Sequence, residues 1–201
     1  MGSIFLTSDL HLGHLKAATM RGFSNVESHD GAILRNIAKV TTDGSTLWIL
    51  GDVAFGAPEK KLDSLAKLRE AANGRLRLIL GNHDKPHPAN ASNPDMAPWR
   101  AVFETIDTRG RIRHAGVQYR LSHFPISGDN DHSDEGERFE MWRERDGFNS
   151  CPIIHGHTHG RERLTWSDGG TPQIHVGLDA WQLKPVPMWA VHQTASGNAA
   201  L

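Results

Sequence analysis

The chain contains one cysteine, Cys151, and one tyrosine among its 201 residues. A single cysteine excludes an internal disulfide and suits a reducing compartment, where it reads as a small core residue. Long apolar runs are missing too. The N-terminal run Ile4-Phe5-Leu6 is too short for a signal peptide or a membrane span, so the cytoplasm is the expected location and no membrane partner is expected. Excess charge of either sign is absent: 22 Lys and Arg meet 23 Asp and Glu. No overall field therefore draws the chain to nucleic-acid backbones or anionic lipid. Leu6 stands where a myristoylation motif starting at Gly2 requires Ser or Thr. Asn90-Ala91-Ser92, without a secretory signal, is a chance match to a glycosylation acceptor. With no repeat and no linker, residues 1–201 read as one domain, and 38% hydrophobic residues can fill its core.

What is present in abundance is metal-seeking side chains, gathered in Asp9-Leu10-His11, Gly51-Asp52, Gly81-Asn82-His83-Asp84, Ser122-His123-Phe124-Pro125 and Gly156-His157-Thr158-His159. Carboxylate, amide and imidazole donors suit first-row divalent ions that accept mixed oxygen and nitrogen ligands, and no thiolate is among them. Taken singly, most are weak. An Asp and a His two apart recur by chance, and Gly51-Asp52 or Gly81-Asn82-His83-Asp84 reads equally as a polar turn. Their address carries more weight. Ile4 to Thr7, Thr46 to Leu50, with Trp48 a core residue, and Leu76 to Leu80 predict buried strands, as does Ile153-Ile154-His155. Metal-type residues follow each at once. His157 and His159 offer imidazoles to adjacent ions, flanked by glycines that let the backbone turn tightly. The constellation points to a metal-dependent hydrolase.

Helical periodicity fills the first half. Val26 to Val40 places Ile33, Leu34, Ile37 and Ala38 on one face, and Pro58 to Leu68 has proline in its first turn with Leu62, Leu65 and Leu68 as its stripe. This β-α-β-α-β order predicts a sheet covered by helices, with binding residues at the carboxyl ends of its strands. In the second half Lys85 to Pro98 reads as a loop, and Arg111 to His114 with Val117 to Ser122 as a hairpin. Arg163 to Trp166 should face Gln173 to Gly177 across Ser167-Asp168-Gly169-Gly170, and Pro187 to Val191 reads as a closing strand. Charges crowd residues 128–150, a solvated loop insertion with one helix near Glu137 to Arg145.

In this order the motifs resemble those of the calcineurin-like metallophosphoesterase superfamily, over residues 9 to 159. Arg21-Gly22-Phe23, Val176-Gly177-Leu178-Asp179-Ala180-Trp181 and Pro185-Val186-Pro187 resemble small bacterial and phage members. The resemblance implies an α/β fold, a β-sandwich flanked by helices in four αββα layers, with a binuclear centre at one edge. It implies two divalent ions of the Mn2+, Fe2+, Zn2+ or Ni2+ kind: Asp9, His11 and His159 holding one, Asn82, His123 and His157 the other, and Asp52 bridging them. The implied reaction is hydrolysis of a small phosphate ester, a diester in preference to a monoester, by a metal-bridging hydroxide. His83 is implied as proton donor to the leaving alkoxide. Asp84 would orient its ring, and a carboxylate there would favour the protonated imidazole.

Two alternatives remain open. A nuclease would be expected to bring a basic groove, which the balanced charge does not favour. A metal-binding or metal-free scaffold is the other, against which the complete ligand set and His83 argue. His14 either contacts substrate or is a solvated loop histidine, and Arg21 either grips a phosphate oxygen or forms a surface ion pair. His155 fits a supporting place beside the ligands. His29, His87, His114, His132, His175 and His192 read as structural or exposed. The 128–150 insertion, lying between His123 and His157, is expected near the site as a lid or wall, with Arg138, Arg143 and Arg145 as candidate phosphate contacts. Sequence alone leaves the oligomeric state open.

Overall fold

A computed structural model of the chain describes residues 2–90, 93–128, 139–147 and 151–197. The apolar runs of the first half form β1 (Ile4–Thr7), β2 (Thr46–Leu50) and β3 (Arg75–Ile79), with α1 (Leu15–Met20), α2 (Val26–Val40) and α3 (Pro58–Ala71) between them. Next come α4 (Ala97–Val102), β4 (Thr105–Asp107), β5 (Arg109–His114), β6 (Val117–Ser122) and β7 (Ile153–His155). The described elements end with β8 (Leu164–Trp166), β9 (Pro172–His175), β10 (Val186–Pro187) and α5 (Met188–Ala195).

These strands make two sheets, ordered β10-β1-β2-β3-β4 and β5-β6-β7-β9-β8. Strands β1 to β4 run parallel, and β10 returns antiparallel along β1. All of β2 is buried because alternate side chains enter different cores. Leu47 and Ile49 pack with Ile33 and Ile37 of α2 and with Leu65 and Leu68 of α3. Trp48 and Leu50 face the second sheet, joining Tyr119, Leu121, Ile154 and Ile174. The result is a mixed α/β fold of two sheets flanked by helices, consistent with a four-layer αββα metallophosphoesterase sandwich. Asn25 caps α2, its side chain accepting from Ser28 N–H at 2.8 Å, a contact of about 1 kcal/mol. No helix among the described residues is long and apolar enough to cross a membrane.

Several expected elements differ. Only Val186 and Pro187 pair with β1, and the chain from Met188 is helical. Proline cannot donate to a ladder, so it ends the strand and becomes the N-cap of α5, which buries Met188, Val191 and Thr194 at helical spacing. The loop expected over Lys85 to Pro98 contains a 3-10 turn at Pro88–Asn90, and its last two residues open α4. The helix expected near Glu137 to Arg145 reduces to a 3-10 turn, Glu140–Trp142. Residues 91–92, 129–138 and 148–150, including His132 and Arg138, lie outside the described residues. Cys151 is half-buried rather than core.

Candidate metal centre

The first strands continue past their named ends as a zipper. Asp9 N–H donates to Gly51 C=O at 3.1 Å, His11 N–H to Asp52 C=O at 2.9 Å and Leu12 N–H to Val53 C=O at 3.0 Å. The backbone then turns through left-handed conformations at residues that are not glycine: Asp9 (φ 58°), His11 (47°), Asp52 (56°), His157 (72°) and His159 (51°). Each such position costs on the order of 1–3 kcal/mol, and such residues gather at functional sites when the surrounding structure holds them. Gly81 leaves the room this requires, since a Cβ there would lie 2.2 Å from Asp52 Oδ1.

The turns bring together all the side chains that the sequence singled out as ligands. His11 Nε2 and His159 Nε2 are 3.1 Å apart. His123 Nε2 lies 3.0 Å from Asn82 Oδ1 and 3.2 Å from His157 Nδ1. Between the two groups sits Asp52 Oδ2, 3.7 Å from His11 Nε2 and 3.5 Å from His123 Nε2. Two sets of donors, Asp9 with His11 and His159, and Asp9 with Asp52 and His123, each fall within 4.8 Å of one another and can hold a divalent ion.

The polarity of these groups fits a cation. His123 Nδ1 faces Leu50 C=O at 2.7 Å, so Nδ1 is the donor and Nε2 is the ring nitrogen left to offer a lone pair to an ion beside the Asn82 and Asp52 oxygens. Lone pairs facing one another repel unless a positive charge lies between them. The carboxylates carry the same message. Burial opposes the charge on Asp9, but His159, His123, His11 and His175 hold its pKa below the usual carboxylate range. Asp52 is pushed well above that range by burial and by Asp84 and Asp9. A bound cation would supply the counter-charge that keeps Asp52 ionised. Cofactors in the form of two divalent ions are thus consistent with the donor chemistry.

Residues 2–161 match the family described as calcineurin-like phosphoesterase. The chain belongs to that family. This phosphoesterase is 40% identical over 191 residues to the gene 66 protein of Mycobacterium phage L5, covering 90% of this chain and 88% of that protein. It is 39% identical over 203 residues to the gene 66 protein of Mycobacterium phage D29, covering 96% of each. A solved structure of a protein of unknown function from Aquifex aeolicus superposes with a TM-score of 0.70 at 24% identity, covering 96% of this chain and 100% of that one, a likeness of fold.

Around the donors, the phosphoesterase departs from the sequence expectations at three places. Asp84 does not orient the His83 ring: Oδ2 accepts from Asp52 N–H (3.0 Å) and Gly81 N–H (2.8 Å), and Oδ1 from Val53 N–H (2.9 Å). A buried carboxylate is better satisfied by three fixed amides than by one mobile ring, so Asp84 holds the ligand-bearing turns in place. Arg21 lines the cleft, yet its guanidinium is buried and committed to Asp179 and to the carbonyls of Asp9 and Leu10. Arg143 is buried, and neither it nor Arg145 lines the cleft above the metal donors.

That cleft, of about 820 Å3, is lined by His14, His83, Phe139 and Trp166 besides the metal donors. His14 stacks on Phe55 at 3.9 Å between centroids. Burial and the charges of His123, His14 and His157 hold His83 at a pKa of about 4, favouring its neutral ring. Phe139 meets the His157 ring edge-on at 6.0 Å. His155 and His175 are buried side by side, 5.3 Å between centroids, at the ends of paired strands β7 and β9.

Asp179 was not singled out by sequence reasoning. It accepts from His159 Nδ1–H at 3.0 Å and from both ends of the Arg21 fork. Its only signal was membership of the Leu178-Asp179-Ala180-Trp181 string.

Proposed function

We propose that the protein is a two-metal phosphodiesterase acting on a small phosphate ester. Asp9, His11 and His159 would hold one ion, Asn82, His123 and His157 the other, with Asp52 reaching both. The observation that carries this reading is the convergence of imidazole lone pairs and carboxylate oxygens within 4.8 Å at the ends of strands from both sheets. Two divalent ions held there supply Lewis-acid chemistry and an activated water. Mn2+ is the first candidate among the ions this donor set accepts.

His83 reaches into the same cleft and offers a phosphoryl oxygen an N–H from its neutral ring. Proton delivery to the leaving group requires the protonated ring, which its burial and three neighbouring imidazoles oppose. A diester is preferred because α1 (Lys16, Met20), Phe139 and Trp166 give the cleft more wall than one phosphate needs. Gly128 and Phe139 are the described residues of the 128–150 insertion that line the cleft and would form such a wall. A nuclease finds less support, since Glu162 and Asp179 offset Lys16 and Arg161 along the lining.

Metal-free and Mn2+-reconstituted protein assayed on bis-p-nitrophenyl phosphate and p-nitrophenyl phosphate provides the test. Metal-dependent turnover, faster on the diester, is expected. Turnover of neither ester would return the protein to the scaffold class, and faster monoester turnover would reverse the preference.

A further inference from the structure

Arg21 and Asp179 touch the ligands of one metal position at several points without offering a donor to the ion. Arg21 Nε and Nη2 grip Asp179 Oδ1 and Oδ2 at 2.9 and 2.8 Å. Nη2 also donates to Asp9 C=O at 2.8 Å, and Nη1 to Leu10 C=O at 3.3 Å. Nη1 further reaches His29 Nε2 at 3.1 Å, whose Nδ1–H is held by Asp30 at 2.7 Å. On its far side Asp179 Oδ2 accepts from His159 Nδ1–H at 3.0 Å. One guanidinium therefore fixes the carbonyls of the Asp9–His11 turn directly and the His159 ring through one carboxylate.

Those three residues form one of the two donor sets. The other ligands have separate supports: Leu50 C=O orients His123, while Asp84 ties down the amides of Gly81, Asp52 and Val53. Among the described residues no side-chain hydrogen bond joins the Arg21–Asp179 pair to Asp84, and the two systems meet only through the backbone bonds of Asp9, His11 and Leu12 to Gly51, Asp52 and Val53. His159 also has the more exposed side chain, 39% against 4% for His11, so its ring relies less on packing for its orientation.

We propose that Arg21 and Asp179 form a positioning brace for the metal position of Asp9, His11 and His159, acting through His11 and His159, which the neighbouring donor set does not share, and so setting its affinity separately from that of its neighbour. The inference rests on the two-metal reading above. Committing Nδ1–H to Asp179 directs the Nε2 lone pair of a neutral His159 toward His11 Nε2, and groups that orient a metal ligand in this way are worth 10–100-fold in affinity. Lysine at position 21 would keep the charge but lose the planar fork. An amide at position 179 offers one oxygen where the fork uses two and the imidazole shares one of them.

The test uses the full chain stripped of metal, titrated with Mn2+ or Zn2+ in a calorimeter and checked by metal analysis. Wild type should take up two ions. In Asp179→Asn and Arg21→Lys one affinity should fall by roughly 10–100-fold while the other stays nearly unchanged, and Asp179→Glu should recover part of the loss. In Zn2+-loaded protein, 15N NMR should show His159 protonated at Nδ1, with that signature lost in Asp179→Asn. If Asp179→Asn does not fold, Arg21→Lys and Asp179→Glu decide the matter. Equal weakening of both positions, or of neither, would overturn the brace. Fewer than two ions in wild type would overturn the two-metal reading and this inference with it.

Discussion

Asp52 concentrates the chemistry of the centre in one side chain. Its Oδ1 accepts from His83 N–H at 3.0 Å, while Oδ2 lies between an imidazole nitrogen of each donor set. Asparagine keeps the shape and the Oδ1 contact but removes the charge. Asp52→Asn should therefore weaken both metal positions, by more than about 10-fold each. Two ions per chain at wild-type affinity would refute its bridging place. His83 is the complementary case, because its ring is proposed to act on substrate and is absent from both donor sets. His83→Ala should retain both ions while kcat drops roughly 10²–10³-fold, as for loss of a single donor to a phosphoryl oxygen. Nitrophenyl and alkyl diesters should lose similar factors. A loss confined to the alkyl ester would instead identify His83 as a proton donor.

At the scale of elements, the 139–147 segment meets the site through Phe139, which stacks on Phe124 and touches His157, and is tied down again at its far end. Arg120 donates to Arg145 C=O at 2.8 Å, and Asp146 accepts from Ser167 Oγ–H and from Gly169 N–H, at 3.0 Å for the latter, on the β8–β9 turn. Slight burial opposes the charge on Asp146, but the bonds from Ser167, Thr171 and Gly169 outweigh it and lower its pKa below 3.8. A depressed carboxylate stabilises the folded form above its unfolded pKa and ceases to do so as pH falls through the folded one. The attachment should thus hold at neutral pH and loosen only below about pH 4, read as loss of Gly169 amide protection in hydrogen exchange. Asp146→Asn should show the loosened state at neutral pH.

The elements also explain what could be read in the sequence. Donor motifs were legible because each follows a short apolar strand, a local signal. The first sheet was legible for the same reason, its parallel strands alternating with amphipathic helices. Register and pairing between distant segments were not. Nothing near Arg21 announces Asp179, 158 residues away, so the arginine resembled a free phosphate clamp. Asp84 resembled a partner for its neighbour His83 because adjacency in sequence hides that its carboxylate points back at Asp52 and Val53. At Pro187 the apolar run Val186 to Val191 satisfied both a strand and a helix, and the missing proline N–H decided between them.

For the whole molecule, the donors draw on both sheets: Asp9, Asp52 and Asn82 follow strands of one, His123, His157 and His159 strands of the other. Ions bound there join the sheets at one edge and should raise global stability. At 100 times the dissociation constant a single ion adds about 2.7 kcal/mol, equivalent to a rise in Tm of roughly 5–10 °C for a chain of this size. Differential scanning calorimetry with and without a chelator measures it, and an unchanged Tm would deny the ions any part in holding the sheets together.

Strand β1 carries the first donors, yet the neighbour on its open side is β10, made from Val186 and Pro187 near the other end of the chain. As the polypeptide leaves the ribosome, every proposed ligand has been synthesised by residue 159 while β1 still presents a bare edge. Ile174, Val176, Met188 and Val191, which close the core between the sheets, have yet to emerge. Exposed strand edges and unfilled cores favour association with other chains. A fragment ending at residue 162 should accordingly aggregate, or bind metal far more weakly than the full chain, although it contains the whole donor set. The last forty or so residues thus govern when the centre can first exist during synthesis, without contributing a single ligand to it.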